Sequence, residues 1–270
     1  MSMLINGRPG DSVAAQDRGL AYGDGVFRTL QLRRGRPLLW RWQYARLADD
    51  ARRLSLPVPD EALLLEELLR VGGELRQAVA KITLTRGVGA RGFAMPQEAE
   101  TTRIVAAAPW AGYPPACAED GVAARWCRTR LAIQPRLAGI KHLNRLENVL
   151  ARSEWDDPAI REGLLLDMQG NLVEGTMSNV YLLRGREVHT PRLDQCGVNG
   201  AVRDWLTDKV SDIGLSMSEM RLSPEALVDA DAVFLSNSLI GIWPLARLGE
   251  RVWQPSPALR QLQRALLQQA

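Results

Sequence analysis

Primary amines are scarce in this chain. Of its 34 basic residues, only Lys81, Lys141 and Lys209 are lysines. Lys81 lies in an alternating strand pattern, and Lys209 lies in a helical pattern where it can pair with Asp212, so both have ordinary structural explanations. Lys141 follows Gly139 closely and precedes an amphipathic helical pattern, a position at the end of a strand where a side chain can project into a cleft. A lysine that forms a Schiff base needs a partly neutral amine, which burial and nearby positive charge produce, and Lys141 is the candidate.

Few other nucleophiles or metal ligands are available. A Ser-His-Asp relay or a two-histidine metal site would have to use His142 or His189, because the chain has two histidines. The cysteines are widely spaced and form no C-x-x-C pair, which argues against a zinc cage and a disulfide framework and favours reduced thiols. These cysteines are Cys117, Cys127 and Cys196. We therefore expect no metal site.

Composition places the chain among soluble globular proteins, with 270 residues, 46% apolar and 24% charged. The formal net charge is +3, and no basic run carries interleaved aromatic residues, so nucleic acid is not an expected partner. The first residues lack the pattern of a signal peptide, and no stretch reaches about 18 uninterrupted apolar residues. We expect a cytoplasmic protein that does not associate with a membrane.

Strand and helix patterns are mixed along the chain, which predicts an α+β (mixed α/β) fold. The predicted strands are 3–6, 26–32, 81–85, 103–108, 122–127, 163–167, 179–183 and 232–236, and the predicted helices are 39–54, 60–69, 145–155, 201–213 and 256–269. Three prolines and one glycine interrupt regular structure in residues 109–115. We predict an N-terminal domain over 1–108, a linker over 109–115 and a C-terminal domain over 116–270 that carries Lys141.

An acidic motif follows Lys141 at a distance of 33 residues. Lys141 lies in Leu-Ala-Gly-Ile-Lys-His-Leu-Asn-Arg-Leu-Glu147, and Glu174 lies in Leu-Val-Glu-Gly-Thr-Met-Ser-Asn179. In this order and context the two motifs resemble the fold-type IV enzymes that use pyridoxal 5'-phosphate (PLP). The resemblance extends over nearly the whole chain and implies a two-domain fold. It implies that Lys141 binds PLP covalently and then transfers protons, and that Glu174 faces the pyridine nitrogen. A carboxylate there keeps the nitrogen protonated, so the ring can accept electrons. The alternative interpretation is that Glu174 is a solvated acidic residue in a turn.

The same resemblance assigns residues to the cofactor phosphate. Arg46, on the first predicted helix, matches an arginine that pairs with the phosphate, although Trp42 and Gln43 stand where a histidine is usual. The segment Cys196-Gly-Val-Asn-Gly200 leads into a helix, and the N–H groups of Ala201 and Val202 match backbone donors to the phosphate. Asn237 occupies the place of a second phosphate contact. The short glycine motifs at 23–25 and 87–89 do not fit a dinucleotide fingerprint.

Within the family, three strings are similar to the aminodeoxychorismate lyases: residues 139–147, 22–29 and 85–93. This likeness implies that 4-amino-4-deoxychorismate is converted to 4-aminobenzoate and pyruvate, a step of folate biosynthesis. Lys141 would remove the ring proton at C4, and the neighbouring enolpyruvyl ether would be eliminated as the ring becomes aromatic. Thr29 matches a threonine suggested to assist elimination, by donating a proton or orienting water, or it is simply a β-branched strand residue.

The substrate carries two carboxylates, which arginine forks match well. Arg91, in the glycine-rich loop, is the first candidate for binding them, and His142 is the second; alternatively, the loop is a solvated hairpin. Branched-chain or D-amino-acid aminotransferase activity is the alternative function, and a PLP-binding protein without catalysis is a third hypothesis, against which Lys141 and Glu174 together argue. The family resemblance also implies a homodimer.

Overall fold

The structure is a computed structural model that describes residues 2–96 and 100–269. These residues divide into two compact units. The first unit contains the described residues up to Ala111 together with Ile140–Asn144, and the second contains Gly112–Gly139 and Arg145–Gln269. The division after Ala111 falls inside the segment 109–115 that the sequence analysis identifies as a linker.

The first unit is an antiparallel sheet covered by helices. Its strands are β1 (Ser2–Ile5), β2 (Arg8–Pro9), β3 (Gly25–Arg33), β4 (Arg36–Pro37), β5 (Gln77–Thr85) and β6 (Thr102–Pro109), and its helices are α1 (Arg18–Tyr22), α2 (Trp40–Arg53) and α3 (Glu61–Gly72). The strand order is β2-β1-β6-β5-β3-β4. Two-residue turns join β1 to β2 and β3 to β4, and α2 and α3 lie between β4 and β5 in the chain.

Alternation along β3 and β5 separates a core face from a second face. Leu30, Leu32, Ile82 and Leu84 are buried in the core of this unit, and α2 and α3 pack on β3 and β6. Helix α2 carries an apolar stripe at helical spacing, in which Leu47 and Ala51 belong to this core and Trp40, Tyr44 and Leu54 pack against it. The intervening residues of β3 and β5 face away from the core, so they are available for other roles.

The segment Ile140–Asn144 belongs to the first unit because it pairs with the edge of β3. Val26 and His142 form an antiparallel bridge, the Phe27 amide donates to the Lys141 carbonyl at 3.0 Å, and the Leu143 amide donates to the Gly25 carbonyl at 3.0 Å. The sequence pattern predicts that Lys141 belongs to the C-terminal domain and lies at the end of a strand. The structure instead places it in a short extended segment beside β3, an arrangement that depends on pairing between residues more than a hundred positions apart.

The second unit contains a larger sheet. Its strands are β7 (Val122–Leu131), β8 (Ile160–Asp167), β9 (Leu172–Gly175), β10 (Asn179–Arg184), β11 (Glu187–Pro191), β12 (Ser216–Met220), β13 (Ala232–Asn237), β14 (Gly241–Leu248) and β15 (Arg251–Val252), and its helices are α4 (Ala116–Glu119), α5 (Leu146–Arg152), α6 (Ala201–Lys209) and α7 (Pro257–Leu267). The order is β12-β11-β10-β13-β14-β7-β8-β9, with β15 paired to β14. Helices and strands are therefore mixed in both units, as the predicted fold class requires.

Helix α7 packs on the other elements of the second unit. Leu259 and Leu262 are buried, and the Gln263 amide donates to the carbonyls of Ala118 and Ile242 at 2.7 and 3.0 Å. Among the helices of residues 2–96 and 100–269, none has the length and apolar character needed to cross a membrane.

Burial disfavours the thiolate form of two cysteines in the second unit. It raises the pKa of Cys127 and of Cys196 to about 12, with nearby carboxylates acting in the same direction. Because the thiolate is the reactive form, we expect neither side chain to react with an aromatic disulfide reagent at pH 8 in the folded protein. Absorbance of the released thiol, with mass mapping of the labelled peptides, tests this. The same reagent added in denaturant is the positive control, and rapid labelling of either cysteine in the folded protein would contradict the prediction.

Candidate functional site

The amine of Lys141 lies over an aromatic ring of β3. Its Nζ is 4.6 Å from the centroid of the Phe27 ring. The alternation of β3 explains this contact, because Phe27 pairs beside Lys141 and both side chains point away from the core that contains Val26. An aromatic face attracts an ammonium group, so Phe27 holds the end of this side chain on one side of the sheet.

Two further polar residues share this face, one that the sequence predicts as a site residue and one that it does not. Thr29 follows Phe27 by two positions, so its side chain lies on the same face, and it pairs with Lys81 in the register of β3 and β5. The Nζ of Lys81 lies 4.8 Å from the same Phe27 centroid. Two amines therefore approach one ring, and the face combines two cations with a hydroxyl.

Lys81 is a further candidate on this face, although its sequence context predicts an ordinary strand residue. Its alternation with buried Ala80 and Ile82 indicates that it faces away from the core. That signal alone does not show which strand is its neighbour. The pairing of β3 with β5 supplies the missing information and brings Lys81 to the face that carries Lys141.

Helix α2 positions Arg46 in the same unit. The Arg46 Nη2 is 2.9 Å from the Asp49 carboxylate, three residues along the helix. The guanidinium is only partly exposed. Gln43, which stands where the family has a histidine, is buried within a regular helix, so this departure does not interrupt α2.

The glycine-rich loop that carries Arg91 is anchored by a charged network. Asp24 accepts hydrogen bonds from Arg18 and Arg86 at 2.8–3.1 Å, and Arg18 also donates to the Gly92 carbonyl at 2.9 Å. Burial alone would raise the pKa of Asp24, but the hydrogen bonds and charges of Arg86 and Arg18 outweigh it and lower that pKa. Arg91 itself is exposed on this anchored loop.

His142 lies on the opposite side of its segment from Lys141. Neighbouring residues of an extended chain alternate between the two faces, and His142 pairs with Val26, whose side chain is in the core. The structure therefore does not bring His142 to the face that carries Lys141 and Thr29. This placement gives no support to His142 as a binder of the substrate carboxylate.

In the second unit, Glu174 is a buried carboxylate held by a loop amide. It lies on β9 with 3% of its surface exposed, and its Oε2 accepts a hydrogen bond from the Val198 amide at 2.7 Å. Gly139 fixes the same loop, because its amide donates to the Gly197 carbonyl and its carbonyl accepts from the Asn199 amide, both at 2.9 Å. The loop that precedes α6 is thus built around Glu174.

Asn179 clamps the start of α6. Its Nδ2 donates to the Val198 carbonyl at 2.7 Å, and its Oδ1 accepts from the Gly200 amide at 3.1 Å. A Cβ at Gly200 would lie 2.5 Å from that Oδ1, so a larger residue there would displace the Asn179 side chain from this contact. No side chain among the described residues caps α6, which leaves the first-turn amides of Ala201 and Val202 directed along the helix axis, as an anion needs. Asn179 is a functional candidate that the sequence analysis does not single out.

Asn237 uses its side chain to close a turn. Its Oδ1 accepts from the amides of Leu239 and Ile240 at 2.8 and 2.9 Å, and its Nδ2 donates to the Met177 carbonyl at 2.9 Å. These contacts order the connection between β13 and β14. They give no support to a phosphate contact by this side chain, which stays a prediction from the family resemblance.

A second buried acid, Glu162, shapes the turn after Glu174. It accepts hydrogen bonds from the Thr176 hydroxyl at 2.5 Å and the Ser178 hydroxyl at 2.7 Å, and the Met177 amide also points to it. Burial raises the pKa of Glu162, and these hydrogen bonds oppose that rise. Glu162 is therefore an internal support of the turn rather than a second acid facing solvent.

Comparison with known proteins decides the family. The model of the family described as Amino-transferase class IV matches residues 25–248. The chain belongs to this class IV family. A crystal structure of 4-amino-4-deoxychorismate lyase from Pseudomonas aeruginosa is similar to the class IV chain, with 45% identity, a TM-score of 0.94 and coverage of 98% of each chain. The aminodeoxychorismate lyase of Vibrio harveyi is 32% identical over 90% of this chain and 89% of its own length.

Aminotransferases of the same family are also similar to this class IV chain. The structure of a branched-chain amino acid aminotransferase from Escherichia coli has 26% identity and a TM-score of 0.88, covering 99% of this chain and 93% of that one. The predicted fold-type IV architecture and family are thus confirmed. The individual site residues stay predictions, which the contacts described above support to different degrees.

Proposed function

We propose that this class IV protein is a PLP-dependent aminodeoxychorismate lyase, which converts 4-amino-4-deoxychorismate to 4-aminobenzoate and pyruvate. The observation that carries the proposal is the likeness to the lyase structure, at 45% identity over 98% of each chain. The aminotransferase compared above is less similar, at 26% identity. The function expected from the motif around Lys141 agrees with this ranking.

The donor set fits PLP chemically. The cofactor needs an amine for its aldehyde, cations or amides for its phosphate and an acid for its pyridine nitrogen. We assign the amine to Lys141, the phosphate contacts to Arg46 and to the amides of Ala201 and Val202, and the acid to Glu174. Bound PLP supplies an electron sink that stabilises negative charge on the carbon that loses a proton.

In the proposed reaction, the chain's own residues move and stabilise protons and charge. Lys141 removes the proton from C4 of the substrate ring. The C–O bond of the neighbouring enolpyruvyl ether then breaks, the oxygen leaves with the three-carbon unit, and that unit gains a proton to become pyruvate. Thr29 lies on the face of Lys141 and serves as the hydroxyl that donates a proton or orients water. The ring product is aromatic, which favours elimination.

Lys81 extends the proposed set toward the substrate carboxylates. Its amine approaches the ring that Lys141 also contacts, and a second fixed cation suits a dianionic substrate. Arg91 is assigned to the other carboxylate because it lies exposed on a loop that Arg18 anchors. His142 is a poorer candidate than Lys81, since its side chain lies on the core side of the same sheet.

Replacing Lys81 with methionine tests this role. We expect KM for 4-amino-4-deoxychorismate to rise about tenfold or more, because a lost charged hydrogen bond costs about 1.5–3 kcal/mol, with a smaller effect on kcat. Steady-state rates over a range of substrate concentrations measure the two constants separately. Lys209→Met, which removes an exposed amine paired with Asp212 at the end of α6, is the matched control. An unchanged KM in Lys81→Met would remove Lys81 from the proposed site.

A homodimer and a cytoplasmic location complete the proposal. Helix α5 exposes Leu146, Val149 and Leu150 by 74%, 60% and 59%, and their spacing places them along one side of the helix. A second subunit that covers this apolar stripe agrees with the dimers typical of fold-type IV enzymes. The three free, buried cysteines agree with a reducing compartment.

The decisive experiment follows both products at once. Purified protein is supplied with PLP and 4-amino-4-deoxychorismate, and 4-aminobenzoate and pyruvate are quantified over time. Pairs of amino and keto acids are tested in parallel with the same preparation. Equimolar appearance of the two products supports the lyase, whereas amino-group transfer without the aromatic product would contradict it and favour an aminotransferase.

A further inference from the structure

An ion pair is buried inside the core of the first unit. Arg28 of β3 is 2% exposed and Asp50 of α2 is 0% exposed, and the Arg28 Nη2 donates to Asp50 Oδ2. Arg28 lies on the core face of β3, between the buried side chains of Val26 and Leu30. Removing two charges from water is costly, and apolar residues of similar volume often stabilise a core equally well. The roles assigned to the other residues do not explain why this core contains a charged pair.

Asp50 has a second contact that connects the pair to Lys141. The same Oδ2 accepts a hydrogen bond from the Lys141 backbone amide at 3.0 Å. On the other side of that residue, the Lys141 carbonyl accepts from the Phe27 amide at 3.0 Å. The backbone of Lys141 is therefore held by α2 through Asp50 and by β3 through Phe27.

Helix α2 connects this contact of Asp50 to Arg46. Arg46 precedes Asp50 by four residues, so one turn of the same helix separates them and both lie along one side of it. The helix that carries the guanidinium assigned to the cofactor phosphate also holds the backbone of the lysine assigned to the cofactor aldehyde. A regular helix is rigid over one turn, so it fixes the spacing of these two attachment points.

We propose that the Arg28–Asp50 pair is a positioning device for Lys141, in which Asp50 holds the Lys141 amide and Arg28 offsets the cost of burying Asp50. This inference rests on the proposed covalent attachment of PLP to Lys141. A lysine side chain has four rotatable bonds, so a backbone free to shift would spread the amine over many positions. Fixing the backbone on both sides, with Phe27 beneath the amine, reduces that spread, and a misplacement of about 1 Å lowers a reaction rate by up to about a hundredfold.

Two double variants separate positioning from core stability. A single replacement at either position would leave an unpaired buried charge and could unfold the protein. Arg28→Met with Asp50→Asn removes both charges but keeps a side-chain oxygen that can accept the Lys141 amide. Arg28→Met with Asp50→Leu also removes both charges, with a side chain of similar size that cannot accept it. The two variants differ in the acceptor at position 50.

The experiment measures which lysine PLP attaches to, and this measurement needs no catalytic activity. Each protein is incubated with PLP, the bond between PLP and amines is made permanent with borohydride, and peptide mass mapping gives the ratio of label on Lys141 to label on Lys209. Thermal midpoints and hydrogen exchange of the Lys141 amide are measured on the same samples, before PLP is added. The ratio within one sample does not depend on how much protein is present.

We expect the natural chain and the asparagine variant to label Lys141 preferentially. When the two variants have equal thermal midpoints, the leucine variant should show a ratio of Lys141 label to Lys209 label at least about tenfold lower than the asparagine variant. Its Lys141 amide should also exchange hydrogen faster. Equal preference in the two variants, whether retained or lost, would overturn the positioning role while leaving the proposed function intact. Absence of preferential Lys141 labelling in the natural chain would overturn the proposed attachment of PLP and this inference together.

Discussion

Lys141→Ala is expected to lower 4-aminobenzoate formation by at least about a thousandfold, because it removes the amine to which we assign the proton transfer. The same change should abolish the visible absorption that covalently attached PLP gives the protein. The chain has two other lysines, which have different surroundings: the exposed Lys209 pairs with Asp212 at the end of α6, while Lys81 approaches the Phe27 ring beside Lys141. Product formation and the absorption spectrum are measured on the same purified variant.

Lys209→Ala is the control for this experiment and should retain both activity and absorption. Added primary amines provide a further test, because a small external amine can replace part of the missing proton-transfer group when the cavity left by alanine admits it. Full activity in Lys141→Ala would show that a different residue carries the amine chemistry. In that case Lys81, on the same face of the sheet, is the first residue to replace next.

Glu174→Gln should lower kcat on the order of a hundredfold and leave KM and PLP binding nearly unchanged. A neutral amide cannot stabilise a protonated pyridine nitrogen as a carboxylate does, and removing one preorganised electrostatic contact typically has an effect of this size. The side-chain oxygen of glutamine still accepts the Val198 amide that Glu174 binds at 2.7 Å, so the loop before α6 keeps its support. Steady-state rates and the titration of PLP into the protein free of cofactor measure the two effects.

Replacement of Glu162 is the control for the test of Glu174. Glu162→Gln also neutralises a buried acid of the same sheet, but that acid accepts hydrogen bonds from the turn at 176–178. We expect its effect to appear in the thermal midpoint rather than specifically in kcat, because an amide nitrogen would face backbone donors. Unchanged kcat in Glu174→Gln, with PLP bound, would remove the electrostatic role assigned to Glu174.

Local signals in the sequence predict much of the regular structure. Asp60 precedes the apolar pattern of α3 and caps it by accepting the amides of Ala62 and Leu63, and the stripe of α2 is readable from its 3.6-residue period. The motifs around Lys141 and Glu174 predict the family because both the residue types and their order are informative. Such features depend on neighbours in the chain, so a single sequence contains them.

Features that depend on distant pairing are not predicted. Strands β9, β11 and β14 are among those without a predicted counterpart, because each contains a run of consecutive buried residues that hides any two-residue alternation. The same limit explains the misassignment of Lys141 to the C-terminal domain and the missed role of Lys81. Both errors concern β3, whose partners Ile140–Asn144 and β5 are known only once the sheet is known.

The candidate site shows the same division between local and distant information. The resemblance selects Arg46 and the first turn of α6, and regular helices at both places agree with it. It does not select Asn179, whose amide bridges Val198 and Gly200 across some 20 residues of chain, nor Asp50, which binds the Lys141 amide 91 positions away. Supporting residues of this kind carry no motif of their own, because their partners are backbone atoms.

The discontinuity of the first unit has a consequence for how the protein is made. During synthesis on the ribosome, β3 emerges long before the segment Ile140–Asn144 that pairs with its edge near Gly25–Phe27. Until that segment arrives, the amides and carbonyls along this edge lack their final partners, and an exposed strand edge invites pairing with other chains. The nascent N-terminal half therefore passes through an interval of vulnerability to aggregation that ends when the lysine-bearing segment docks.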